Sequence, residues 1–539
     1  MRYGLKFLFL PVMKMTNISK LPAVAFLIGF FLITFSCSQQ PVSFIVLQTS
    51  DLHGRFDTSL AGLAGYVRQA QEHHKDRVVL LDAGDYLQGT PGMYYSNFID
   101  TTEKHLCAAF FDWFPYTAIG VGNHDIEAGV TVFSRVYRQT DVPVVCANVS
   151  NLVSGQPYFD PYMVVKKKGY KIAVLGMLTP HVSSWVAEHL RPGMDFHSIE
   201  EAVAFWVPYI REKEKPDLLI GLFHTGAEGG VTGAMGGENT ALWIAQNVPG
   251  IDLICYGHDH RPNVEAVPAG GKDTVWLMNP GARGRYVAQA HIDISRGIKK
   301  QIRVQAQLVD TKDLEPDQTY LRNFEDYFQR AYMYESTPIA ELLNTMESRK
   351  AFEGPSEWVD EVHRGQIAMA GLQTDLLPDV SFASALQYNA VIPKGQLYLK
   401  DFFTWFPFEN TLCILEMTGE EIKQYLEYSY DQTDIISFDS AAGIFYTVYK
   451  NRPKGERIEI HGMSRGFLFV PERKYKVVMN SYRAQGGGGH LFEGLGWSPA
   501  TAKERILWES KTDMRQDFMK WEASRSPFRA APLPYWRYK

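Results

Sequence analysis

The sequence predicts an α/β sheet sandwich in its first half, on three observations. Short Val/Ile/Leu-rich runs recur along the chain, segments of helical periodicity lie between them, and polar residues of metal-ligating type gather where the runs end. Runs that are apolar on successive residues mark strands buried on both faces. At 539 residues the chain exceeds what one hydrophobic core organises, so a second domain is expected.

The elements follow in order. Lys14 and Lys20 precede an apolar run over 21–35 (LPAVAFLIGFFLITF) that ends at Ser36-Cys37. That run is shorter than the roughly 20 residues of a membrane span but matches the core of an export signal. A small residue directly before cysteine resembles a bacterial lipobox. It implies a signal peptide over 1–36, lipidation at Cys37, and an exported protein held in the periplasm or cell envelope by lipid alone. Strands are predicted at 42–50 (VSFIVLQTS), 77–82 (RVVLLD) and 117–122 (TAIGVG). Others follow from Val142, Lys171, Asp217, Ile251 and Thr274. Leu60, Leu63, Ala64 and Val67 recur at helical spacing between the first two, as a crossover helix requires. Cys107, Cys146, Cys255 and Cys413 show no CxxC spacing and read as buried thiols.

Asp51, His53, Asp85, Asn123, His124, His224, His258 and His260 all fall at or just past the C-terminal end of a predicted strand. Ligand sites of α/β folds gather at that edge. One such residue alone is more simply a turn residue or a satisfied core histidine, but five segments in one register converge on a site. Carboxylate, amide and imidazole together suit Zn, Mn, Fe or Co. Asp85, after a glycine, is the natural carboxylate to bridge two divalent ions, which would stand roughly 3.5–4 Å apart and clamp phosphate oxygens.

The set Asp51-Leu-His53, Gly84-Asp85, Gly122-Asn123-His124-Asp125, His224 and Gly257-His258-Asp259-His260 resembles the calcineurin-like metallophosphoesterases. The resemblance implies a four-layer αββα sandwich over 43–310. It implies Asp51, His53, Asp85 and His260 around one metal and Asp85, Asn123, His224 and His258 around the other. His124 is cast as the unligated acid, with Glu127 as its acidic partner.

A polar helical stretch makes 311–336 a linker helix. Beyond it, 337–510 is expected to be a smaller α/β domain, and 511–539 a C-terminal tail. The segments 402–421 and 474–492 resemble the C-terminal domain of the 5'-nucleotidase family, in which two aromatics sandwich the base. Phe408 and Tyr482 match that role, although core packing explains either aromatic equally well. Asn410, Arg483 and Gly488 are the further substrate contacts expected. The passages YSNFID, HTGAEGG, IPKG, DSAAGIFY and NSYRAQGGGG lean to the 2',3'-cyclic-nucleotide 2'-phosphodiesterase/3'-nucleotidase branch. A broad 5'-nucleotidase is the alternative among enzymes, and a non-catalytic nucleotide-binding lipoprotein the alternative outside them. A net charge of −6 with no basic block argues against a nucleic-acid polymer as partner. The expected partner is a nucleotide, bound by a monomer.

Overall fold

The computed structural model describes residues 41–539 apart from 234, 270–273, 297–299 and 433–437. The expected signal peptide over 1–36 and the lipidation site Cys37 lie outside the described residues.

The first half is two six-stranded sheets packed face to face. The first runs Gln301–Asp310, Tyr286–Ser295, Val42–Thr49, Val78–Asp82, Ala118–Gly120, Val144–Val145. The second runs Asn263–Pro268, Thr274–Asn279, Leu253–Tyr256, Leu218–His224, Tyr170–Leu178, Tyr162–Lys167. Successive strand residues face opposite ways, and each strand's apolar run is divided accordingly. Phe44 and Val46 point between the sheets with Val79, Ile172, Ile220 and Leu253. Ile45 and Leu47 point outward, against Leu63 and Val67 of the helix Ala61–His74. On the far side Leu175, Leu219 and Ile254 pack against Val203 and Val207 of the helix Ile199–Lys213. Three apolar layers therefore separate four layers of secondary structure, the expected αββα sandwich. Within it, Val42–Thr49, Val78–Asp82 and Ala118–Gly120 are parallel, as are Tyr170–Leu178, Leu218–His224 and Leu253–Tyr256. Their C-terminal ends accordingly share one edge of each sheet.

The stretch expected as one linker helix is two helices, Gln318–Asn323 and Glu325–Glu335. They are separated by Phe324, whose backbone (φ −106°, ψ 7°) leaves the helical region. The cause is packing, because Tyr320 and Phe324 are buried in the first-half core and bring the chain back onto it.

The second half has a five-stranded sheet ordered Asp439–Ala442, Val380–Ser384, Lys474–Asn480, Leu412–Thr418, Ile506–Glu509. One face buries Ile414 and Val478 under Trp358, Phe402 and Phe518, and the other buries Cys413, Leu415 and Val477 under Tyr425 and Leu426. The segment set apart as a tail belongs to this fold. Met514, Phe518 and Met519 of the helix Met514–Ser524 fill one core, and Trp536–Tyr538 pairs in parallel with Ile444–Val448. Phe518 lies four residues after Met514, a spacing that puts both on one helix face. Tyr94, from the first half, is buried in the second half's core. The four described cysteines are buried and free. No helix of the described residues is long and apolar enough to cross a membrane.

Candidate metal centre

Each functional loop begins where a parallel strand ends. Asp51 and His53 follow Val42–Thr49, Asp85 follows Val78–Asp82, and Asn123 and His124 open a short helix after Ala118–Gly120. His224 ends its strand, and His258 and His260 follow Leu253–Tyr256. The backbone is unusual here. Asp51, His53, Asp85, His258 and His260 all have positive φ, at 51°, 47°, 62°, 76° and 57°. Such conformations cost non-glycine residues about 1–3 kcal/mol each and persist where the surroundings over-determine them.

The surroundings are hydrogen bonds between loops. The Asp51 N–H donates to Gly84 O and the His53 N–H to Asp85 O, both at 2.9 Å. The His258 N–H donates to the Asp51 carboxylate at 3.1 and 3.2 Å. Asp125, fully buried, accepts the N–H groups of Asp85, Tyr86, Leu87 and Gly122 at 2.8–3.0 Å. Gly122 must be glycine, since a Cβ there would stand 2.4 Å from the Asp85 backbone nitrogen.

Two clusters of donor atoms result, each with its atoms within 4.8 Å of one another. One is Asp51, His53, Asp85 and His260, and the other is Asp85, His224 and His258. Asp85 belongs to both. His53 Nε2 and His260 Nε2 face each other at 2.8 Å, and His260 Nε2 lies 3.4 Å from Asp51 Oδ1. His224 Nε2 lies 3.1 Å from Asp85 Oδ2 and 3.1 Å from Asn123 Oδ1, which brings Asn123 to the second cluster. Burial pushes the His53 imidazole down to about 3, so the neutral ring offers one nitrogen lone pair. Burial opposes ionisation of Asp51, but the His260 hydrogen bond and the His224 charge outweigh it and hold the carboxyl at about 2. Carboxylates and imidazole lone pairs converging in a buried pocket fit divalent transition-metal ions.

His124 stands beside the clusters. Its Nδ1 meets Glu127 Oε2 at 2.6 Å, and its backbone N–H donates to Asp85 Oδ1 at 2.9 Å. Burial opposes its protonation, but the charges of Glu127 and Asp85 raise it to about 10. Phe408, from the second half, lies nearly parallel to the His124 ring (13°, centroids 6.0 Å apart). Gln88 Nε2 donates to Pro407 O at 2.8 Å, tying the two halves together at this point.

The other expected contacts are engaged within the second half. Asn410 Oδ1 accepts from the Tyr482 N–H at 2.9 Å and Ser481 Oγ at 3.1 Å, fixing the loop that carries Tyr482. Gly487 lets that loop close, because a Cβ there would meet the Tyr482 ring at 2.5 Å. Arg483, expected as a phosphate contact, is engaged with other protein groups in this structure. It is buried, forks onto both Asp439 oxygens at 2.9 and 3.0 Å, and donates to Gly487 O at 3.0 Å. A buried guanidinium requires a carboxylate partner, and Asp439 is that partner. Two residues with a part in the site were not singled out from the sequence. Asp125 appears there only as the fourth residue of its motif, and Glu238, which meets His258, gives no sequence signal in its polar loop.

The fold and the site define a metallophosphoesterase. Residues 44–262 match the calcineurin-like phosphoesterase family and 337–495 the 5'-nucleotidase C-terminal domain. The chain thus belongs to the two-domain metallophosphoesterase nucleotidases, whose members are hydrolases and imply divalent metals. It is 24% identical to a 2',3'-cyclic-nucleotide 2'-phosphodiesterase/3'-nucleotidase of Haemophilus influenzae, over 84% of this chain and 78% of that protein. It is also 24% identical to a 5'-nucleotidase of Vibrio cholerae, over 83% of this chain and 85% of that protein. A trifunctional nucleotide phosphoesterase of Bacillus subtilis is 23% identical over 88% of this chain, which spans only 37% of that protein's length. Among solved structures, a Staphylococcus aureus protein assigned as a 5'-nucleotidase superposes with a TM-score of 0.77. That superposition covers 92% of this chain and all of the other, at 20% identity.

Proposed function

We propose that this hydrolase opens 2',3'-cyclic nucleotides to 3'-nucleotides and then cleaves these to nucleoside and phosphate. The observation that carries a phosphoester reading is Asp85 shared by two donor clusters, with the His124–Glu127 pair alongside. Asp51, His53, Asp85 and His260 would hold one divalent ion, and Asp85, Asn123, His224 and His258 the other. Two ions so held supply Lewis-acid charge to the phosphoryl oxygens and acidify water. Glu127 holds the His124 ring and keeps it protonated, so that His124 can stabilise charge on the phosphoryl group and pass a proton to the departing ribose oxygen. Phe408, parallel to that ring, offers one face to a nucleobase, and Tyr482 is the partner proposed for the other. Export with a lipid on Cys37, and a monomeric state, complete the proposal.

The choice of ester rests on Gly488. In the resembling 5'-nucleotidases the glycine loop carries an aspartate that reads the ribose hydroxyls, and this chain has glycine there. A carboxylate would repel a phosphate on the 2',3' edge of the sugar, and its absence favours one. The second reading, a 5'-nucleotidase, has support in the equal identity to the Vibrio cholerae relative. Chromatography of products from 2',3'-cyclic AMP, 3'-AMP and 5'-AMP separates the two. The expected course is cyclic AMP to 3'-AMP to adenosine, with 5'-AMP slow, whereas faster cleavage of 5'-AMP overturns the proposal. Gly488 has φ +74°, which aspartate and asparagine tolerate better than other residues. Gly488→Asp should therefore depress the cyclic and 3' activities more than Gly488→Asn does, and the 5' activity least.

A further inference from the structure

Residues 225–240, apart from 234, form a glycine-rich loop between the strand Leu218–His224 and the helix Ala241–Asn247. The loop is folded back on itself by its own polar groups. Thr225 Oγ1 donates to Glu238 O at 2.6 Å, and the Gly226 N–H donates to Asn239 Oδ1 at 2.8 Å. The Glu238 N–H donates to Val231 O at 2.8 Å, while Glu238 Oε2 accepts the Val231 N–H at 2.7 Å. The second carboxylate oxygen, Oε1, reaches out of the loop to His258 Nε2 at 2.9 Å.

A carboxylate held this way only accepts, so the proton of that bond sits on His258 Nε2, and the lone pair of the neutral ring sits on Nδ1. His224 shows the opposite arrangement. Its Nδ1 lies 2.9 Å from Ala83 O, a carbonyl that can only accept, and its Nε2 is the atom facing Asp85 and Asn123. In the neutral form in which an imidazole can hold a cation, the two histidines of this cluster are thus directed to opposite tautomers by different acceptors, one neutral and one anionic. The Trp185 indole lies nearly parallel to His258 (17°, centroids 5.7 Å apart), and His181 lies against Trp185 in turn (28°, 5.9 Å). The stack sets the plane of the His258 ring, and Glu238 sets its rotation within that plane.

We infer that Glu238 is a positioning residue for the second cluster, presenting His258 to a divalent ion through Nδ1 and increasing the basicity of that ligand. The inference rests on the two-metal reading above. Partners of ligating histidines typically contribute 10–100-fold in metal affinity, and among the described residues the cluster histidine that bonds to a carboxylate outside the clusters is His258. Glu238 therefore makes the two ions unequal.

The test uses the full chain, stripped with chelator and titrated with Zn²⁺, with bound zinc read by elemental analysis and affinities by competition. Unaltered protein should take up two ions. Glu238→Ala should weaken one of them about 10–100-fold and leave the other unchanged. Glu238→Gln, which can still accept from Nε2 without the charge, should fall between and serves if the alanine variant does not fold. Asn239→Ala, which cuts the Gly226 anchor without touching His258, should keep both ions. Two ions at unaltered affinity in Glu238→Ala overturn the inference, as does equal weakening in Asn239→Ala, which would assign the effect to the loop. Fewer than two ions in the unaltered protein is a different failure, that of the two-metal reading itself.

Discussion

In the first half, Asp51, His53, Asp85, His258 and His260 adopt left-handed backbone in a frame of main-chain bonds to Gly84 and Asp85 and of N–H bonds to the Asp125 and Asp51 carboxylates, and their side chains converge on one another. In the second half the comparable polar side chains are taken up by the protein itself. Asn410 secures the Tyr482 loop, Arg483 neutralises Asp439, and Gly487 gives way to the Tyr482 ring. The same kind of residue thus does opposite work in the two regions. A strained ligand loop is stable only through its supporting frame, whereas a buried Arg–Asp pair is itself the frame. Substitutions should divide along that line, with chemistry lost on one side and stability or binding on the other.

The largest effect is expected at Asp85, the one side chain common to both clusters. Asp85→Asn should reduce turnover to background and deplete metal, as read by phosphate release and elemental analysis. Retention of both ions would show that Asp85 is not shared. His124→Asn should lower turnover about 10²–10⁴-fold, the scale of a general acid, while the metal content stays whole. Loss of metal there would make His124 a ligand.

The pH profile sharpens the role of Glu127. His124 is held at about 10, chiefly by the Glu127 charge against the opposing effect of burial. A group raised in this way is protonated below that pKa and loses its proton as pH rises through it. The alkaline limb of turnover should therefore move to lower pH in Glu127→Gln, and an unmoved limb would detach Glu127 from the proton.

On the other side of the comparison, Arg483→Met should destabilise the protein by about 3–5 kcal/mol, because it leaves Asp439 buried without its partner. Thermal or denaturant unfolding reads this, and the metal content should be untouched. Selective loss of substrate affinity with normal stability would restore Arg483 as a phosphate contact. The smallest effect is expected at Phe408. Phe408→Ala should weaken nucleotide binding by roughly 1–3 kcal/mol if the ring stacks on a base, with little change on p-nitrophenyl phosphate. Equal losses on both substrates would assign Phe408 to packing alone.

The regions also differ in how legible they were. The strands Val42–Thr49 and Val78–Asp82 carry unbroken apolar runs, Phe44 to Leu47 and Val78 to Leu81, because both sheet faces are covered there, and that pattern survives in one dimension. Asp51, His53 and Asp85 are legible for a chemical reason, since few structural needs place carboxylates and imidazoles together at strand ends. Arginine, glycine and asparagine have ordinary structural uses, so Arg483 and Asn410 carried no mark separating a ligand contact from a clamp. Phe324 breaks the helix between the halves because of what it packs against, and local propensity does not contain that. Met514 and Phe518 lie in a short polar stretch whose partners, such as Trp358 and Trp405, are more than a hundred residues away in sequence. Glu238 meets His258 across a loop closure, beyond the reach of any local pattern.

Anomalous diffraction from a crystal loaded with Zn²⁺ or Mn²⁺ tests the metal centre most directly. Two peaks are expected roughly 3.5–4 Å apart, with Asp85 between them, Asp51, His53 and His260 around one, and Asn123, His224 and His258 around the other. A single peak, or two that do not share Asp85, would contradict the dinuclear site.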